Sequence, residues 1–499
     1  MKKPVYTILD CYTDEPAGLG VPPYLGTYPR YIAGKLHPEK VNYITIDDLR
    51  LVKNYHNRKP QNEIVTNIKI YNTTNQNIPE ILNSTTHLVV LIGVQTPGKY
   101  LSAVPGTMKE VVALIEELPC KKILTGPGIF GTQLIGGRKA EAVPSGVFDE
   151  TWNAQYNFKE IKDYASKGAY IVKSIPQKRI IEIETGRGCT FGKCSFCTEP
   201  IKNKVEFRDQ EDVIEEVKLL HSLGCEFFRL GKATCTLSYK NGDVKELEKL
   251  LKPLSELKLK VLHIDNVNPV YVNEERVKLI TKYCTDGNIA AFGVESFDKN
   301  VVKENTLNCT PENAYRAIKI LNEFGSQRGP DGMPYFLPGI NIILGLKGET
   351  KETLEENYKW LKKIYDDGLM LRRINIRQVT IFEGTVMNEV GYKYFKKNKK
   401  LYFSFRKKIR EEIDTPMLQR VIPLGAILNN VYTETHQGNV TFARQYGTYP
   451  IIIGIKGRLP LGEKISVKVT GHMLRSITGE PVTPIRTIPM HPIGKNNRF

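Results

Sequence analysis

The sequence predicts an α/β protein in three parts: an N-terminal Rossmann-like domain, a central partial (β/α)6 barrel and a small C-terminal β-barrel of the oligonucleotide-binding (OB) kind. Short runs rich in β-branched residues alternate with amphipathic stretches through the middle of the chain, which is typical of parallel βα units. Near the end the pattern changes to strands broken by Gly, Pro and Asn. The chain has 499 residues, too many for one ordinary core. We expect domains at residues 1–175, 176–400 and 401–499.

The central part carries six candidate strands, most of them followed by a helical stretch. The strands are predicted at residues 180–183, 227–230, 261–264, 289–294, 340–344 and 374–379. Helices are predicted at residues 212–223, 274–283, 311–324 and 351–365. Six such units imply a parallel sheet that curls into a partial barrel, whose loops at the carboxyl ends of the strands carry the chemistry.

The flanking parts have patterns of their own. Short apolar runs at residues 5–10, 43–46, 87–93 and 122–125 indicate a small α/β sheet at the N-terminus. A Lys-rich stretch and a helix predicted at residues 404–413 follow the barrel. The last strands are predicted at residues 426–433, 439–442, 449–455 and 464–469. Short strands with turn residues between them suit a small β-barrel.

The composition is that of a soluble globular protein, with 41% hydrophobic and 25% charged residues. No uninterrupted apolar stretch reaches the roughly 18 residues that a membrane span needs, and the start of the chain becomes polar too soon for a secretory signal. Nine cysteines at scattered spacings are typical of reduced thiols, some of which bind metal. We therefore expect a cytoplasmic protein without a membrane partner.

The positive charge is concentrated near the end of the chain. The formal net charge is +17, and residues 391–499 contain 19 Lys or Arg against 6 Asp or Glu, a net charge of +13. This asymmetry indicates a polyanionic partner of the C-terminal part. A solvated basic surface is the alternative, because charge runs such as residues 396–400 are often only that.

The most informative segment is residues 184–200, which follows the first barrel strand. Its thiols Cys189, Cys194 and Cys197 have the spacing C-x4-C-x2-C within a Gly-rich loop. Such thiolates hold iron–sulfur clusters, and a local trio without a nearby fourth cysteine leaves one iron open to an external ligand. A structural zinc site is the alternative. It normally needs four ligands, and the other six cysteines form no second pair at zinc-finger spacing.

Polar residues follow the other strands towards the same mouth. Glu295 ends the fourth strand, where an unpaired buried carboxylate is too expensive to be only a core residue. Asp265 and Asn266 leave the third strand; they could bind a ligand, but capping the turn explains them equally well. Three arginines near the sixth strand would suit phosphate recognition, with surface ion pairs as the alternative: Arg372, Arg373 and Arg377.

With these motifs in order, residues 178–390 resemble the radical S-adenosylmethionine (SAM) superfamily. The supporting stretches are residues 228–232, 293–296 and 345–350. The resemblance implies a [4Fe–4S] cluster on the three cysteines, with SAM bound at the open iron and cleaved to a 5′-deoxyadenosyl radical. It also implies cofactor contacts from Arg229, Gly231, Lys232, Asp265, Asn266, Glu295, Ser296 and Gly345. The chain departs from the usual C-x3-C-x2-C spacing and lacks the usual Gly-Gly-Glu after the second strand.

The C-terminal region resembles a TRAM-like RNA-binding domain at residues 440–447 and 469–472. Such domains bind RNA through basic side chains and exposed aromatics. The resemblance implies RNA contacts from Phe442, Arg444, Tyr446, Tyr449 and Arg475, although some of these aromatics could instead be core residues.

The whole chain resembles an archaeal group, marked by residues 14–24 and 371–378. We connect this group with the radical SAM component of archaeosine synthase. The resemblance implies a lyase that breaks a C–N bond in a lysine-modified deazaguanine of tRNA to give archaeosine. It also implies tRNA, a second tRNA-modifying protein and an electron donor as partners.

Three other functions stay open at this point. A methylthiotransferase acting on RNA or protein needs three more N-terminal cysteines, and only Cys11 and Cys120 are available. A cobalamin-dependent methyltransferase would explain the N-terminal domain, although the Asp-x-His-x-x-Gly signature of cobalamin binding is missing. A non-catalytic, metal-stabilised RNA-binding protein would leave the barrel motifs idle. The sequence names no catalytic residue.

Overall fold

A computed structural model of the chain describes residues 3–12, 24–56, 72–93, 104–130, 143–176 and 180–485. Nearly all of the motif at residues 14–24 lies outside these ranges. Within the described ranges, no helix combines the length and the apolar character that a membrane span requires.

The N-terminal part is a five-stranded, fully parallel sheet. In spatial order its strands are Lys40–Thr45, Val5–Asp10, His87–Leu91, Lys121–Thr125 and Glu150–Trp152. Alternate residues point to opposite faces, so that Ile8 packs into the core on one side and Leu9 into the core on the other. One face is covered by Thr27–Leu36 and Phe158–Gly168, and the other by Ile46–Tyr55, Ile78–Ser84 and Met108–Ile115. The predicted α/β sheet is present, and its classification as Rossmann-like stays a prediction.

The central part is a partial barrel of six parallel strands, as predicted. In order they are Ile180–Glu184, Phe227–Gly231, Val261–Ile264 continued by Asn266–Val267, Asn288–Glu295, Phe336–Leu344 and Arg373–Gln378. The third strand breaks at Asp265. There the Ile264 backbone N–H donates to Asn288 Oδ1 over 3.2 Å, which joins the two halves of the sheet. A short strand that the sequence does not predict, Tyr24–Leu25, pairs with the first strand.

The barrel is apolar outside and polar inside. Ile181 and Phe228 belong to the core beneath the outer helices. Their neighbours Glu182 and Arg229 point inward, because strand residues alternate, and form an ion pair of 3.0 Å. The main outer helices are Gln210–Ser222, Val244–Glu256, Glu274–Tyr283, Pro311–Gly325 and Lys351–Asp366, with shorter ones at Glu199–Lys202 and Lys299–Glu304. The interior can therefore accept a polar ligand.

A long basic helix follows the barrel. The sequence pattern predicts a helix only from residue 404, but the helix begins at Lys393 and ends at Ile409. The reason is an apolar stripe, in which Phe395, Tyr402 and Ile409 are seven residues apart and all buried. Shorter helical segments on either side are Val386–Val390, the π-helical turn Arg410–Asp414 and Thr415–Val421.

The C-terminal part is a closed barrel of five strands. Around the barrel they are Ile427–Gln437, Val440–Gln445, Ile452–Lys456, Ser476–Pro481 and Lys464–His472. The predicted small β-barrel is confirmed. The sequence pattern predicts four of the strands and misses Ser476–Pro481, because Gly and Pro near its end are poor strand signals.

The C-terminal barrel lies against the amino ends of the central strands. Its loop at residues 446–450 reaches into the base of the partial barrel, where the Thr448 backbone N–H donates to His263 Nδ1 over 3.0 Å. The Tyr449 ring lies 3.9 Å from the Arg373 guanidinium. Residues of both barrels belong to one continuous apolar core, so the two barrels pack as one unit.

His263 should make the stability of this contact depend on pH. Burial lowers the pKa of His263 to about 4 and the charge of Arg229 lowers it too, although the hydrogen bond to the Asp286 carbonyl opposes the shift. An unfolded histidine has a pKa near 6.5, so the contribution of neutral His263 is complete above about pH 6.5 and is lost towards pH 4. The loss amounts to about 3 kcal/mol. Urea unfolding between pH 7 and pH 4 should show this loss of stability in the wild type and not in His263→Gln. Identical dependence of the free energy of unfolding on pH in the two proteins would contradict the prediction.

Candidate active site

The cysteine loop is closed at its base by a glycine that no other residue could replace. Gly188 has φ +79°, and a Cβ there would lie 2.4 Å from the Lys204 carbonyl oxygen. Beside it, the two-residue strands Gly186–Arg187 and Glu206–Phe207 pair antiparallel. The loop therefore leaves the first strand and returns to the same point.

The far side of the loop is anchored to two other loops of the barrel mouth. The Ser195 hydroxyl donates to Asn305 Oδ1 over 2.7 Å, and its backbone N–H donates to the Asn305 carbonyl over 3.0 Å. Asn305 Nδ2 in turn donates to the Lys347 carbonyl over 2.8 Å. The Met387 backbone N–H donates to the Ser195 carbonyl. The position of the thiols is thus fixed by residues that follow the fourth, fifth and sixth strands.

The three predicted cluster ligands are free, half-buried thiols. The pKa of Cys194 is raised to about 12 and that of Cys197 to about 11, chiefly by burial, and the negative charges of Cys189 and Glu295 contribute to both shifts. Such thiols ionise when a cation compensates them, which is what metal binding does. The structure therefore brings the trio together as the sequence predicts.

Three thiols on one loop are a donor set that fits an iron–sulfur cluster, because a four-iron cluster is held through separate irons, each by its own thiolate. Within the described ranges, no group of three His, Cys, Asp or Glu side chains is arranged to hold a single metal ion. Cys189, Cys194 and Cys197 would hold the cluster and leave one iron for another ligand.

Glu295 places an unsatisfied carboxylate beside the thiols. Its Oε2 atom is shielded from solvent and accepts no hydrogen bond from the described residues. The residue sits at an irregularity of the fourth strand with φ +64°, a conformation that costs a residue with a side chain energy. Burial raises the pKa of Glu295 to about 8, and the charge of Arg377 opposes the shift. A strained, unpaired carboxylate of this kind suits a cationic ligand.

Glu349, which the sequence analysis does not single out, is the opposite case. It is only 1% exposed, and it accepts hydrogen bonds from the Gly345 backbone, Asn398 Nδ2 and the Tyr402 hydroxyl. Its role is to tie the mouth to the helix Lys393–Ile409. The predicted cofactor residue Gly345 belongs to this arrangement: it has φ +94°, and a Cβ would lie 3.0 Å from Phe395 and from Val379.

The other predicted cofactor residues divide between the lumen and the surrounding turns. Arg229 lies 3.8 Å from Asp265, so these two are brought together. A Cβ on Gly231 would lie 2.6 Å from Glu182 Oε1, which explains the glycine by packing. The Ser296 hydroxyl accepts from the Asp298 backbone N–H, so it stabilises a turn. Asn266 begins the second half of the broken strand.

Lys232 faces away from this group, towards the N-terminal part. It has φ +65°, and its Nζ donates to the Tyr28 hydroxyl over 3.0 Å. Lys232 and Tyr28 line a cleft between the mouth and the carboxyl edge of the N-terminal sheet, which Gly126 and Asn153 line from the other side. No local sequence pattern marks this cleft, because distant segments form it.

The predicted RNA-binding arginines of the sixth strand lie largely inside the molecule. Arg372 Nη2 donates to the Tyr449 carbonyl over 2.8 Å, and burial lowers the pKa of Arg372 to about 9 and that of Arg373 to about 10. Joining the two barrels explains both residues without RNA. Arg377 instead lies near Glu295 at the mouth.

The predicted RNA-binding residues of the C-terminal barrel are also mostly engaged. Arg444 forms an ion pair of 2.8 Å with Glu434, and their side chains are 5% and 0% exposed. The Tyr446 ring stacks on Tyr432 with centroids 4.1 Å apart. Phe442 is half-buried and Arg475 is exposed. Internal partners account for Arg444 and Tyr446, and Arg475 is the member that faces solvent.

Comparison with known proteins identifies the family. Residues 183–361 match the sequence profile of the Radical SAM superfamily. The chain is also 43% identical to the uncharacterized protein MJ0274 of Methanocaldococcus jannaschii, over 96% of this chain and 94% of that protein. The chain belongs to the Radical SAM superfamily, and this membership implies a [4Fe–4S] cluster and SAM.

Two further similarities are more distant. The chain is 21% identical to the ribosomal protein uS12 methylthiotransferase RimO of Clostridioides difficile, over 60% of this chain and 65% of that protein. The solved structure of the radical SAM methyltransferase TsrM from Kitasatospora setae, with cobalamin and a [4Fe-4S] cluster bound, aligns with a TM-score of 0.48 and 12% identity, over 77% of this chain and 74% of that chain.

The two mouth carboxylates should respond differently to the same substitution. Glu349→Gln should lower the free energy of unfolding by about 1–3 kcal/mol, because it disrupts a fully bonded buried group. Glu295→Gln should leave stability unchanged or raise it, yet weaken SAM binding by roughly tenfold or more through loss of a charged partner. Denaturant unfolding and anaerobic calorimetry check both; equal destabilisation by the two variants would make Glu295 a structural residue.

Proposed function

We propose that this radical SAM enzyme removes a hydrogen atom from a substrate that an RNA presents at the mouth of the partial barrel. Support for an active mouth comes first from Glu295, whose shielded Oε2 lacks a hydrogen-bond donor among the described residues and whose charge acts on Cys194 and Cys197. When bound, the cluster supplies the electron that cleaves SAM to methionine and a 5′-deoxyadenosyl radical.

The residues of the chain then have separate tasks. Glu295 would bind a cationic group of SAM, and Arg377 would bind an anionic group beside it. The ion pair of Glu182 with Arg229 crosses the first two strands and would keep the lumen in shape. The lumen is polar, and Glu295 and Arg377 can pair with charged groups of a ligand. Such a ligand therefore regains in the lumen most of the solvation free energy that it loses on leaving water.

RNA is the partner that we propose for the C-terminal part. The net charge of +13 over residues 391–499 supports a polyanion. We interpret the closed five-stranded barrel as TRAM-like or OB-like, a type that binds nucleic acid. We interpret the N-terminal sheet as Rossmann-like. If its five strands are numbered along the chain, their spatial order in the sheet is 2-1-3-4-5, which is the order of one doubly wound fold.

Within this class, the specific reaction we propose is the formation of archaeosine in tRNA. The 5′-deoxyadenosyl radical would take a hydrogen atom from the lysine side chain of a modified deazaguanine and become 5′-deoxyadenosine. A C–N bond of the substrate radical would then break, so that the nitrogen stays on the deazaguanine as the amidine and the lysine carbon chain is released. A one-electron exchange with the electron donor would remove the remaining unpaired electron. A second tRNA-modifying protein and an electron donor are the partners that this reaction would need.

Methyl or methylthio transfer is the second candidate. One distant relative is a methylthiotransferase by name, and the cleft lined by Lys232 and Tyr28 beside the mouth is where a second cofactor such as cobalamin would bind. Against a second cluster, Cys11 is buried in the core and Cys120 is the only other N-terminal cysteine. Cobalamin in anaerobically purified protein would support methyl transfer.

Mass spectrometry of tRNA nucleosides from cells that lack the gene tests the proposed reaction. Loss of archaeosine with accumulation of its lysine-bearing precursor supports the lyase. Unchanged archaeosine rules it out, and loss of a methylated or methylthiolated nucleoside supports the second candidate.

The cysteine trio should be indispensable for SAM cleavage. Ser at Cys189, Cys194 or Cys197 should abolish 5′-deoxyadenosine formation and lower the iron content, because two thiolates cannot retain the cluster. Cys120 is a half-buried thiol outside the loop, so Cys120→Ser is the matched control. This variant should keep both the formation of 5′-deoxyadenosine and the iron content of the wild type. Chromatography of the anaerobic reaction measures the product; a trio variant that still forms it would refute the assignment.

A further inference from the structure

The helix Lys393–Ile409 carries an uninterrupted basic surface. Its 17 residues include no Asp or Glu. All of its Lys and Arg residues are exposed: Lys393, Lys396, Lys397, Lys399, Lys400, Arg406, Lys407 and Lys408. Its opposite side is apolar and buried in the protein. The charge run at residues 396–400 is therefore part of an ordered helix with one face turned to solvent.

An exposed phenylalanine lies in the middle of this surface. Phe403 is 73% exposed, the largest value among the exposed hydrophobic residues of the described chain. On a helix its neighbours are the residues three and four positions away, and all four are cations: Lys399, Lys400, Arg406 and Lys407. An aromatic ring surrounded by positive charge is typical of nucleic-acid binding, because the ring stacks on a base while the cations contact the neighbouring backbone phosphates.

Carboxylates in the described part of the chain leave most of this surface without an ion pair. Lys407 lies 3.9 Å from Glu411, a weak surface pair. Lys396, Lys400 and Arg406 have no ion pair with the described residues. The charge is therefore available to an external polyanion.

The helix runs along the partial barrel from its mouth towards its base, so a bound RNA would lie close to the mouth. In its middle part, Asn398 and Tyr402 donate hydrogen bonds to Glu349 at the mouth of the partial barrel. Just beyond its end, Arg410 donates to the Ile374 carbonyl at the start of the sixth strand, near the base where the C-terminal barrel sits. Seventeen residues span about 25 Å, so the helix connects the mouth with the C-terminal barrel.

We propose that the basic face, formed by Lys396, Lys399, Lys400, Phe403, Arg406 and Lys407, binds the RNA substrate. The cations contact backbone phosphates and Phe403 stacks on an unpaired base. This inference rests on the proposed RNA substrate and moves the main RNA contact from the C-terminal barrel to the helix. An anionic membrane is the competing occupant, but the apolar side of the helix is already buried and only Phe403 could insert.

Binding of fluorescein-labelled bulk tRNA to the full-length, reconstituted protein tests the proposal. Lys399→Gln, Lys400→Gln, Arg406→Gln and Lys407→Gln together should weaken binding at least about tenfold and flatten the slope of log K against log salt by about 2–4, because phosphate contacts are lost. Phe403→Ala should weaken binding about tenfold with little change in slope, because stacking is lost.

A second quadruple variant with the same charge change is the matched control. It carries Gln at Lys249, Lys278, Lys282 and Lys359, whose side chains are 67%, 55%, 64% and 70% exposed on other helices. The control should change tRNA affinity by less than about threefold, because only long-range charge is altered. Equal losses in the two quadruple variants, or full affinity in Phe403→Ala, would overturn the proposal.

Two further measurements separate this proposal from the proposed function. SAM cleavage in the absence of RNA should be the same in all variants. A wild type that binds tRNA through the basic face but never cleaves SAM would contradict the proposed enzymatic function and would still support the basic face as an RNA-binding surface. Binding to phosphatidylglycerol vesicles that is lost in Phe403→Ala, while tRNA binding is not, would assign the face to a membrane and overturn the proposal.

Discussion

Three thiolates would hold three irons of a four-iron cluster and leave the fourth iron open, and the contacts around the cysteine loop set where that open position would lie. The loop that carries Cys189, Cys194 and Cys197 is held at its base and on its far side. Gly188 closes the loop at its base, and Asn305 links Ser195 within the loop to the mouth. The strands thus set where the thiols lie, and Glu295 adds the charge that a ligand at the mouth would meet.

A buried ion triad shows how the scaffold satisfies charge away from the mouth. Glu216 lies between Arg30 and Arg208, at 2.8 Å and 2.6 Å, with all three side chains at most 1% exposed. This triad connects a helix of the N-terminal part to the barrel, and each member is paired because an isolated buried ion would be too costly. Against that background Glu295 stands out. Paired charges build the scaffold, and a carboxylate left without a donor indicates a place for a ligand.

Local patterns predict the parts of the structure that local forces determine. Six barrel strands follow from short apolar runs, and the cysteine loop follows from the spacing of three thiols on one segment. The start of the long helix at Lys393 is missed, because the lysines dominate the composition while Phe395 and Tyr402 supply the packing. The strand Ser476–Pro481 exists only because its neighbours in the barrel pair with it.

Roles that depend on a partner far along the chain could not be predicted. Arg444 has the composition of an RNA contact, but Glu434 on the neighbouring strand neutralises it. Tyr446 is occupied by Tyr432, and Arg372 by the Tyr449 carbonyl. Gly345 likewise packs against Phe395 and Val379. In each case the residue type fits the predicted chemistry, and the structure adds a tertiary partner that local sequence does not show, so the predicted binding roles stay predictions.

The central claim is that the open iron of the cluster binds SAM at this mouth. Electron paramagnetic resonance of the anaerobically reconstituted, reduced protein tests it most directly, because a ligand on one iron alters the electronic structure of the whole cluster. A [4Fe–4S]⁺ signal that shifts on addition of SAM is the expected result. A signal that SAM leaves unchanged, or a protein that takes up zinc and shows no signal, would contradict it.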